Sequence, residues 1–149
     1  MTTTGEWADV YRDLHRHPEL SFQETRTAGI VAERLTSLGY DVTSGVGRTG
    51  VVGVLRNGEG PTVLLRADMD ALPVEEKTGL DYASTARGTD PQGADVGVMH
   101  ACGHDVHVTC LLGAADRLTA ARDEWSGTVL FLFQPAEETV SGARSMVDD

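Results

Sequence analysis

Near the start of the chain, apolar residues recur every three or four positions, which is the spacing of an amphipathic helix. Residues 6–16 therefore predict a first helix, and HPE at 17–19 ends it because the residue before a proline avoids helical backbone. Ser21 and Glu24 have the spacing of a capping box, in which two side chains bond N–H groups at the start of a helix. They predict the start of a second helix, which ends at Gly39.

Further along, the apolar pattern becomes that of extended chain. Residues 51–57 and 61–68 predict two strands, and the intervening NGEG predicts a hairpin turn between them. Residues 77–98 are rich in Gly, Thr and Asp and predict a long loop. A helix over 104–121 precedes GTVLFLF at 127–133, whose nearly all-apolar composition is typical of a strand buried on both faces. This order predicts an α/β fold class with a mixed, largely parallel central sheet flanked by helices.

The composition excludes several classes of function. The 23 acidic and 12 basic residues give a net charge of −11, which argues against binding to nucleic acid or to an anionic membrane surface. The longest apolar runs are too short to span a bilayer, and MTTTGEWADV lacks the basic and apolar segments of a secretory signal. Two cysteines are too few for a disulfide framework, so we expect reduced thiols and a cytoplasmic location. Cys110, among apolar neighbours, is expected to be buried.

The stretch MHACGHDVH, at 99–107, holds three of the five histidines and one of the two cysteines. Thiolate and imidazole are both good zinc ligands, and the glycine between Cys102 and His104 would let a local bend direct both toward one ion. A Cys-x-His pair alone is a weak signal, and three alternatives stay open. His107 could be a packed, hydrogen-bonded residue, and His100 could be structural or could support the site from behind the ligands. Cys102 could instead be a nucleophile with a nearby histidine as its base.

Pairs of acidic residues follow two of the predicted strands. Asp68 and Asp70 come at the end of one strand, and Glu137 and Glu138 come shortly after the last one. Ligands of open α/β sheets bind beyond the carboxyl ends of the strands, so we expect both pairs and the CGH segment to converge there. Of two adjacent glutamates, one can bind a metal while the other takes a proton from a water that the metal activates.

The sequence GVGRTG, at 45–50, matches the Gly-x-Gly-x-x-Gly spacing of dinucleotide-binding sites. That fingerprint requires a helix directly after the glycines. Here the glycines are followed by VVGVLRN, whose β-branched residues predict a strand. We therefore interpret the segment as a glycine-rich turn between strands and expect no dinucleotide cofactor.

Four segments carry a resemblance to a known family, in this order: LHRHPELSFQET, LLRADMDALPVEE, GVMHACGHDVH and GTVLFLFQPAEE. Together they resemble the amino-terminal part of the M20 metallopeptidases. The resemblance is closest to the amidohydrolase branch, which includes aminoacylase-like, hippurate hydrolase-like and indole-acetyl-amino-acid hydrolase-like enzymes. It implies that residues 1–149 form an incomplete, amino-terminal portion of the catalytic α/β domain, a fragment without the lid or dimerisation domain.

The resemblance implies a hydrolase that uses two divalent ions, of Zn, Mn, Ni or Co, to cleave the amide bond of N-acyl amino acids or related small amides. A homodimer is expected for the full-length protein. The family has two more histidine ligands beyond the paired glutamates, and the sequence ends before both. The alternative is therefore a truncated chain that binds metal without catalysing a reaction.

The same resemblance assigns roles by position. Cys102, His104 and Glu138 match metal ligands of the family, and Glu137 matches the general base that activates water. Asp70 matches the acid of a His-x-Asp motif, and we expect it to orient the site from behind the ligands. The histidine of that motif is replaced here by Asp68, whose role the resemblance leaves open.

Overall fold

The computed structural model describes residues 2–149. Its helices are α1 (Thr4–Arg16), α2 (Thr25–Ser37), α3 (His104–Ala120) and α4 (Gly142–Asp148), and a short 3-10 turn covers Arg122–Glu124. Its strands are β1 (Asp41–Val46), β2 (Gly50–Asn57), β3 (Thr62–Asp68), β4 (Arg87–Thr89), β5 (Asp95–Gly97) and β6 (Gly127–Gln134). Within this range, no helix is both long and apolar enough to cross a membrane.

The main sheet has the strand order β1-β2-β6-β3. The expected α/β class with a mixed sheet and flanking helices is confirmed. The expectation of largely parallel pairing is wrong for these residues, because β1–β2 and β2–β6 are antiparallel and only β3–β6 is parallel. The predicted NGEG hairpin is also wrong, since β6 lies between β2 and β3. At this central position β6 is hydrogen-bonded along both edges. The predicted burial of β6 on both faces is wrong, because its residues alternate between buried and half-buried along most of the strand.

The glycine-rich segment at 45–50 is a turn between strands, as interpreted, and it joins β1 to β2 in the hairpin that does form. Residues 77–98 are more ordered than predicted, because β4 and β5 pair within them as a small antiparallel hairpin. The prediction of a buried Cys110 is wrong, because this residue is exposed on α3.

Helices α2 and α3 pack against the main sheet, α1 packs against α3, and together they enclose the core. Its largest fully buried apolar side chains come from these three helices, from β6 and from the residue directly after β3: Leu14, Leu35, Met69, Leu112, Phe131 and Phe133. Helix α3 packs against β3 and begins at His104, near the carboxyl end of that strand. The packing of the core therefore fixes where the CGH segment enters the site.

Helix α2 does not use the predicted capping box. The side chains of Ser21 and Glu24 make no cap hydrogen bond, and the Glu19 carboxylate instead accepts from the backbone N–H groups of Arg26 and Thr27, each at 2.8 Å. A carboxylate at a helix start also interacts favourably with the positive end of the helix dipole. Glu19 thus leaves Ser21 and Glu24 free for contacts elsewhere.

A buried histidine joins three parts of the fold. His15 on α1 places Nδ1 2.7 Å from Oδ2 of Asp105 and Nε2 3.1 Å from Oε1 of Glu76. Burial lowers the pKa of His15, but the hydrogen bonds to Asp105 and Glu76 outweigh this effect and raise the pKa above its ordinary value. The folded state therefore favours the charged imidazole between the two carboxylates.

This raised pKa makes stability depend on pH. The charged His15 stabilises the fold fully below its ordinary pKa of 6.5, and that contribution is lost as the pH rises through the raised pKa. We expect His15→Gln to lower the free energy of unfolding by about 1–3 kcal/mol at pH 6 and by less at pH 9. Urea midpoints at the two pH values measure the difference. The control is His17→Gln, at a half-exposed position, and an equal loss at both pH values for His15→Gln contradicts the prediction.

Candidate metal site

The candidate site lies beyond the carboxyl ends of β3 and β6. These strands are parallel neighbours, with Asp68 paired to Gln134 at the ends of the two strands. The chain segments that follow two neighbouring parallel strands are close in space. The acids at the end of β3 and just beyond it therefore lie beside the glutamates after β6. Helix α3 begins at the same edge and contributes His104.

His104 is at the centre of the cluster. Its Nε2 atom lies 3.5 Å from Oδ1 of Asp68, 3.8 Å from Oε2 of Glu137 and 3.9 Å from Oε1 of Glu138. Its other ring nitrogen, Nδ1, is hydrogen-bonded at 2.8 Å to the backbone carbonyl of Asp70. A carbonyl on one ring nitrogen fixes the imidazole so that the other nitrogen can bind a metal.

The surroundings of His104 are strongly negative. Burial lowers the pKa of His104, but hydrogen bonding to Asp70 and the charge of Asp68 outweigh burial and raise the pKa to about 9. Burial likewise raises the pKa of Asp68, but hydrogen bonding to His107 and the charge of His104 outweigh it and lower the pKa. A cation is therefore favoured at this point, and a divalent ion can take the place of the proton.

The side chains present fit a metal ion. Two groups have ligand atoms within 4.8 Å of one another: Asp68 with His104 and His107, and His104 with Glu137 and Glu138. Oε1 of Glu138 is buried, and no hydrogen-bond partner for it lies among residues 2–149. A buried carboxylate oxygen without a partner is costly unless a cation binds it. Imidazole and carboxylate together suit Zn, Mn, Ni or Co.

Cys102 stands apart from these groups. It is exposed and belongs to neither cluster, although it lies beside Glu138. Interaction with the Glu138 carboxylate raises the pKa of the Cys102 thiol above its ordinary value. A raised pKa reduces the thiolate fraction at neutral pH, which disfavours Cys102 as an unassisted nucleophile. Of the three predicted ligands, the structure thus brings His104 and Glu138 together and leaves Cys102 at the margin.

Sequence reasoning did not place His107 in the site. Its Nδ1 lies 2.6 Å from Oδ1 of Asp68, and its ring stacks on that of His104 with centroids 5.5 Å apart. The spacing of the two histidines, three residues apart on one helix, was the signal that they share a face. His100 belongs to neither group of possible metal ligands. It is buried, and burial lowers its pKa to about 4.

Asp70 holds the segment that presents the paired glutamates. Its Oδ1 accepts from the backbone N–H of Glu137 and its Oδ2 from that of Glu138, each at 3.0 Å. Ser21 Oγ donates to the same Oδ2 at 2.7 Å. The segment then folds back on itself, where a side chain on Gly142 would overlap the carbonyl oxygen of Pro135. Asp70 therefore supports both glutamates through their backbone.

The chain is similar to known proteins over almost all of its length. It is 48% identical over 143 residues to thermostable carboxypeptidase 1 of Saccharolobus solfataricus, covering 93% of this chain and 34% of that protein. It is 45% identical over 146 residues to hippurate hydrolase of Campylobacter jejuni, covering 97% of this chain and 35% of that protein. The chain thus spans about a third of the length of these relatives.

The fold of the chain is also similar to that of a solved structure. The YXEP protein of Bacillus subtilis, a dinuclear metal-binding peptidase of the M20 family, superposes with a TM-score of 0.85 at 40% identity, covering 97% of this chain and 38% of that one. Residues 64–149 match the model of peptidase family M20/M25/M40. This matched range includes the acids after β3, the start of α3 and the paired glutamates. The chain therefore belongs to peptidase family M20/M25/M40.

Proposed function

We propose that this protein is a metal-dependent hydrolase that cleaves the amide bond of N-acyl amino acids or related small amides. The observation that supports it most directly is the set of three carboxylates around Nε2 of His104, one of which has a buried, unpartnered oxygen. A hippurate hydrolase and a carboxypeptidase are among the relatives. Both names describe cleavage of an amide bond on the amino side of an amino acid with a free carboxylate.

The exposure of the two paired glutamates supports a different role for each. The side chain of Glu138 is 18% exposed and that of Glu137 is 42% exposed. Glu138, with its buried oxygen, is suited to bind the ion together with His104, and Cys102 is a further ligand within reach of Glu138. Glu137, closer to solvent, is suited to take a proton from the attacking water. Asp70 orients both glutamates through their N–H groups.

Divalent ions bound here would supply Lewis-acid chemistry, since they lower the pKa of water toward about 7 and polarise a carbonyl. We propose two ions, by analogy with the dinuclear relative. The two groups of possible ligands share His104, whose one free ring nitrogen can bind only one of the ions, so carboxylates would hold the other. The residues of the chain then bind the substrate beside His104, accept a proton on Glu137 and pass it to the leaving amine.

Removing the metal tests this function. We expect the full-length product of the gene to hydrolyse hippurate and to lose at least about 100-fold in rate when a chelator strips the metal. Adding Zn, Mn, Ni or Co separately should restore the rate, and the most effective ion identifies the preferred metal. Liberated glycine is the readout, with metal content measured on the same samples. Activity that survives complete metal removal contradicts the proposal.

The cysteine alternative is tested by Cys102→Ser. If Cys102 is a nucleophile, thiol alkylation inactivates the protein whether or not metal is bound. If Cys102 is a ligand, bound metal protects the thiol, and Cys102→Ser weakens metal binding. The Glu138 carboxylate beside the thiol, itself a candidate metal ligand, favours the ligand role.

A second alternative is that residues 1–149 alone bind metal without catalysis. Metal titration of the 149-residue chain tests it, and two tightly bound ions per chain would contradict it. The homodimer and the cytoplasmic location stay predictions. The substrate is proposed to be a small molecule, in keeping with the excess of acidic residues, which disfavours nucleic acid and membrane surfaces as partners.

A further inference from the structure

Glu24 is a buried acid that belongs to neither group of possible metal ligands. It directly precedes α2 and is fully buried. Its Oε1 accepts from the backbone N–H of Ala136 at 2.8 Å, and its Oε2 accepts from the hydroxyl of Thr49 at 2.6 Å. Helix α2 does not need this carboxylate, because Glu19 satisfies the N–H groups at the helix start.

The partner of Glu24 has an unusual backbone conformation. Ala136 has a φ of 49°, in the left-handed region that residues with a Cβ seldom adopt. This conformation is strained for a residue with a Cβ, so surrounding contacts must hold it in place. Ala136 directly precedes Glu137, and any change in its φ and ψ angles moves the Glu137 side chain.

Three successive N–H groups are fixed by two buried carboxylates. Glu24 accepts from Ala136, and Asp70 accepts from Glu137 and Glu138. Successive N–H groups around a left-handed residue form a concave nest that binds anions. Here side-chain oxygens of Glu24 and Asp70 are the acceptors, and these two residues lie far apart in the sequence.

We propose that Glu24 is a positioning residue that locks Ala136 in its left-handed conformation and so directs the Glu137 carboxylate toward the reacting centre. This inference rests on the proposed role of Glu137. Without the Glu24 contact, Asp70 still holds the N–H groups of Glu137 and Glu138, but the residue before them can relax. A displacement of about 1 Å at a reacting group can reduce a rate about 100-fold.

The two hydrogen bonds that Glu24 accepts decide which side chains can replace it. Glutamine keeps an oxygen for the N–H of Ala136, and its amide NH2 can donate to Thr49 because a hydroxyl can rotate and accept. Methionine has a similar shape but accepts no comparable hydrogen bond. Burial raises the pKa of Glu24, so loss of its charge alone should not harm the fold. We therefore expect glutamine to be tolerated and methionine not.

The test compares Glu24→Met and Glu24→Gln in the full-length, metal-loaded protein. We expect Glu24→Met to lower kcat for hippurate about 10–100-fold, with KM and metal content within about threefold of the wild type. Glu24→Gln should retain kcat within about threefold. The control is Leu35→Ala, a core variant in α2 that lowers the stability of the fold and should leave kcat nearly unchanged.

Hydrogen exchange at the Ala136 amide gives a readout that does not depend on activity. Glu24→Met should lose protection there, whereas Glu24→Gln and Leu35→Ala should lose it only as far as global stability falls. Unchanged protection in Glu24→Met, or lost protection with a wild-type kcat, overturns the inference. An inactive wild-type protein overturns the proposed function, while exchange at Ala136 still decides whether Glu24 fixes the backbone.

If Glu24→Met does not fold, Thr49→Val replaces it in the comparison. This variant removes the hydroxyl that orients the Glu24 carboxylate while keeping the shape of the side chain. We expect faster exchange at Ala136 and a severalfold lower kcat. Wild-type values of both quantities in Thr49→Val overturn the inference.

Discussion

Replacing Glu137 by glutamine is expected to lower kcat for hippurate hydrolysis by about 10²–10⁴-fold, because an amide cannot take the proton that a carboxylate accepts from water. The side chain of Glu137 is 42% exposed and its Oε2 lies 3.8 Å from Nε2 of His104, so the substitution leaves the buried ligands in place. Steady-state kinetics of the full-length protein, with metal content measured on the same preparation, check this prediction.

Glu138→Gln is the matched control, since it changes the neighbouring glutamate by the same chemistry. We expect this variant to lose metal, because Oε1 of Glu138 is the buried oxygen without a partner. Added metal should partly restore the activity of Glu138→Gln and should not restore that of Glu137→Gln. A kcat within about threefold of the wild type for Glu137→Gln would exclude it as the base.

The edge of the sheet that holds the site could be predicted because strand ends can be recognised locally. The apolar runs of β3 and β6 end just before the acidic pairs, so the pairs were expected at the same edge. The neighbour relation of the two strands was not predictable in this way. The local turn signal of NGEG favoured a β2–β3 hairpin, whereas β6, which comes much later in the sequence, pairs with both strands and lies between them.

The supporting contacts were missed for a related reason. The spacing of Ser21 and Glu24 is a local capping signal, but their partners are distant in the sequence. Ser21 binds Asp70, 49 residues away, and Glu24 binds Ala136, 112 residues away. A capping pattern carries no information about such partners, and a second carboxylate, that of Glu19, was available to cap the helix.

The second large effect is expected at Asp70. Asp70→Ala removes the acceptor for the N–H groups of Glu137 and Glu138 and for the Ser21 hydroxyl. Each buried donor left without a partner costs about 1–3 kcal/mol, so the free energy of unfolding should fall by several kcal/mol. Metal affinity should fall about 10–100-fold, the usual effect of removing a group that orients a ligand. Urea unfolding and metal titration of the full-length protein measure both effects.

Asp70→Asn separates this role from that of Glu24. Both carboxylate oxygens of Asp70 accept from backbone N–H groups, which cannot turn round to accept from an amide. Asparagine in either orientation therefore directs an NH2 group at a backbone N–H, and we expect Asp70→Asn to be almost as damaging as Asp70→Ala. Glu24→Gln should be tolerated, because its second partner is a hydroxyl that can rotate. Equal tolerance of asparagine at Asp70 would show that the two N–H contacts do not hold the paired glutamates.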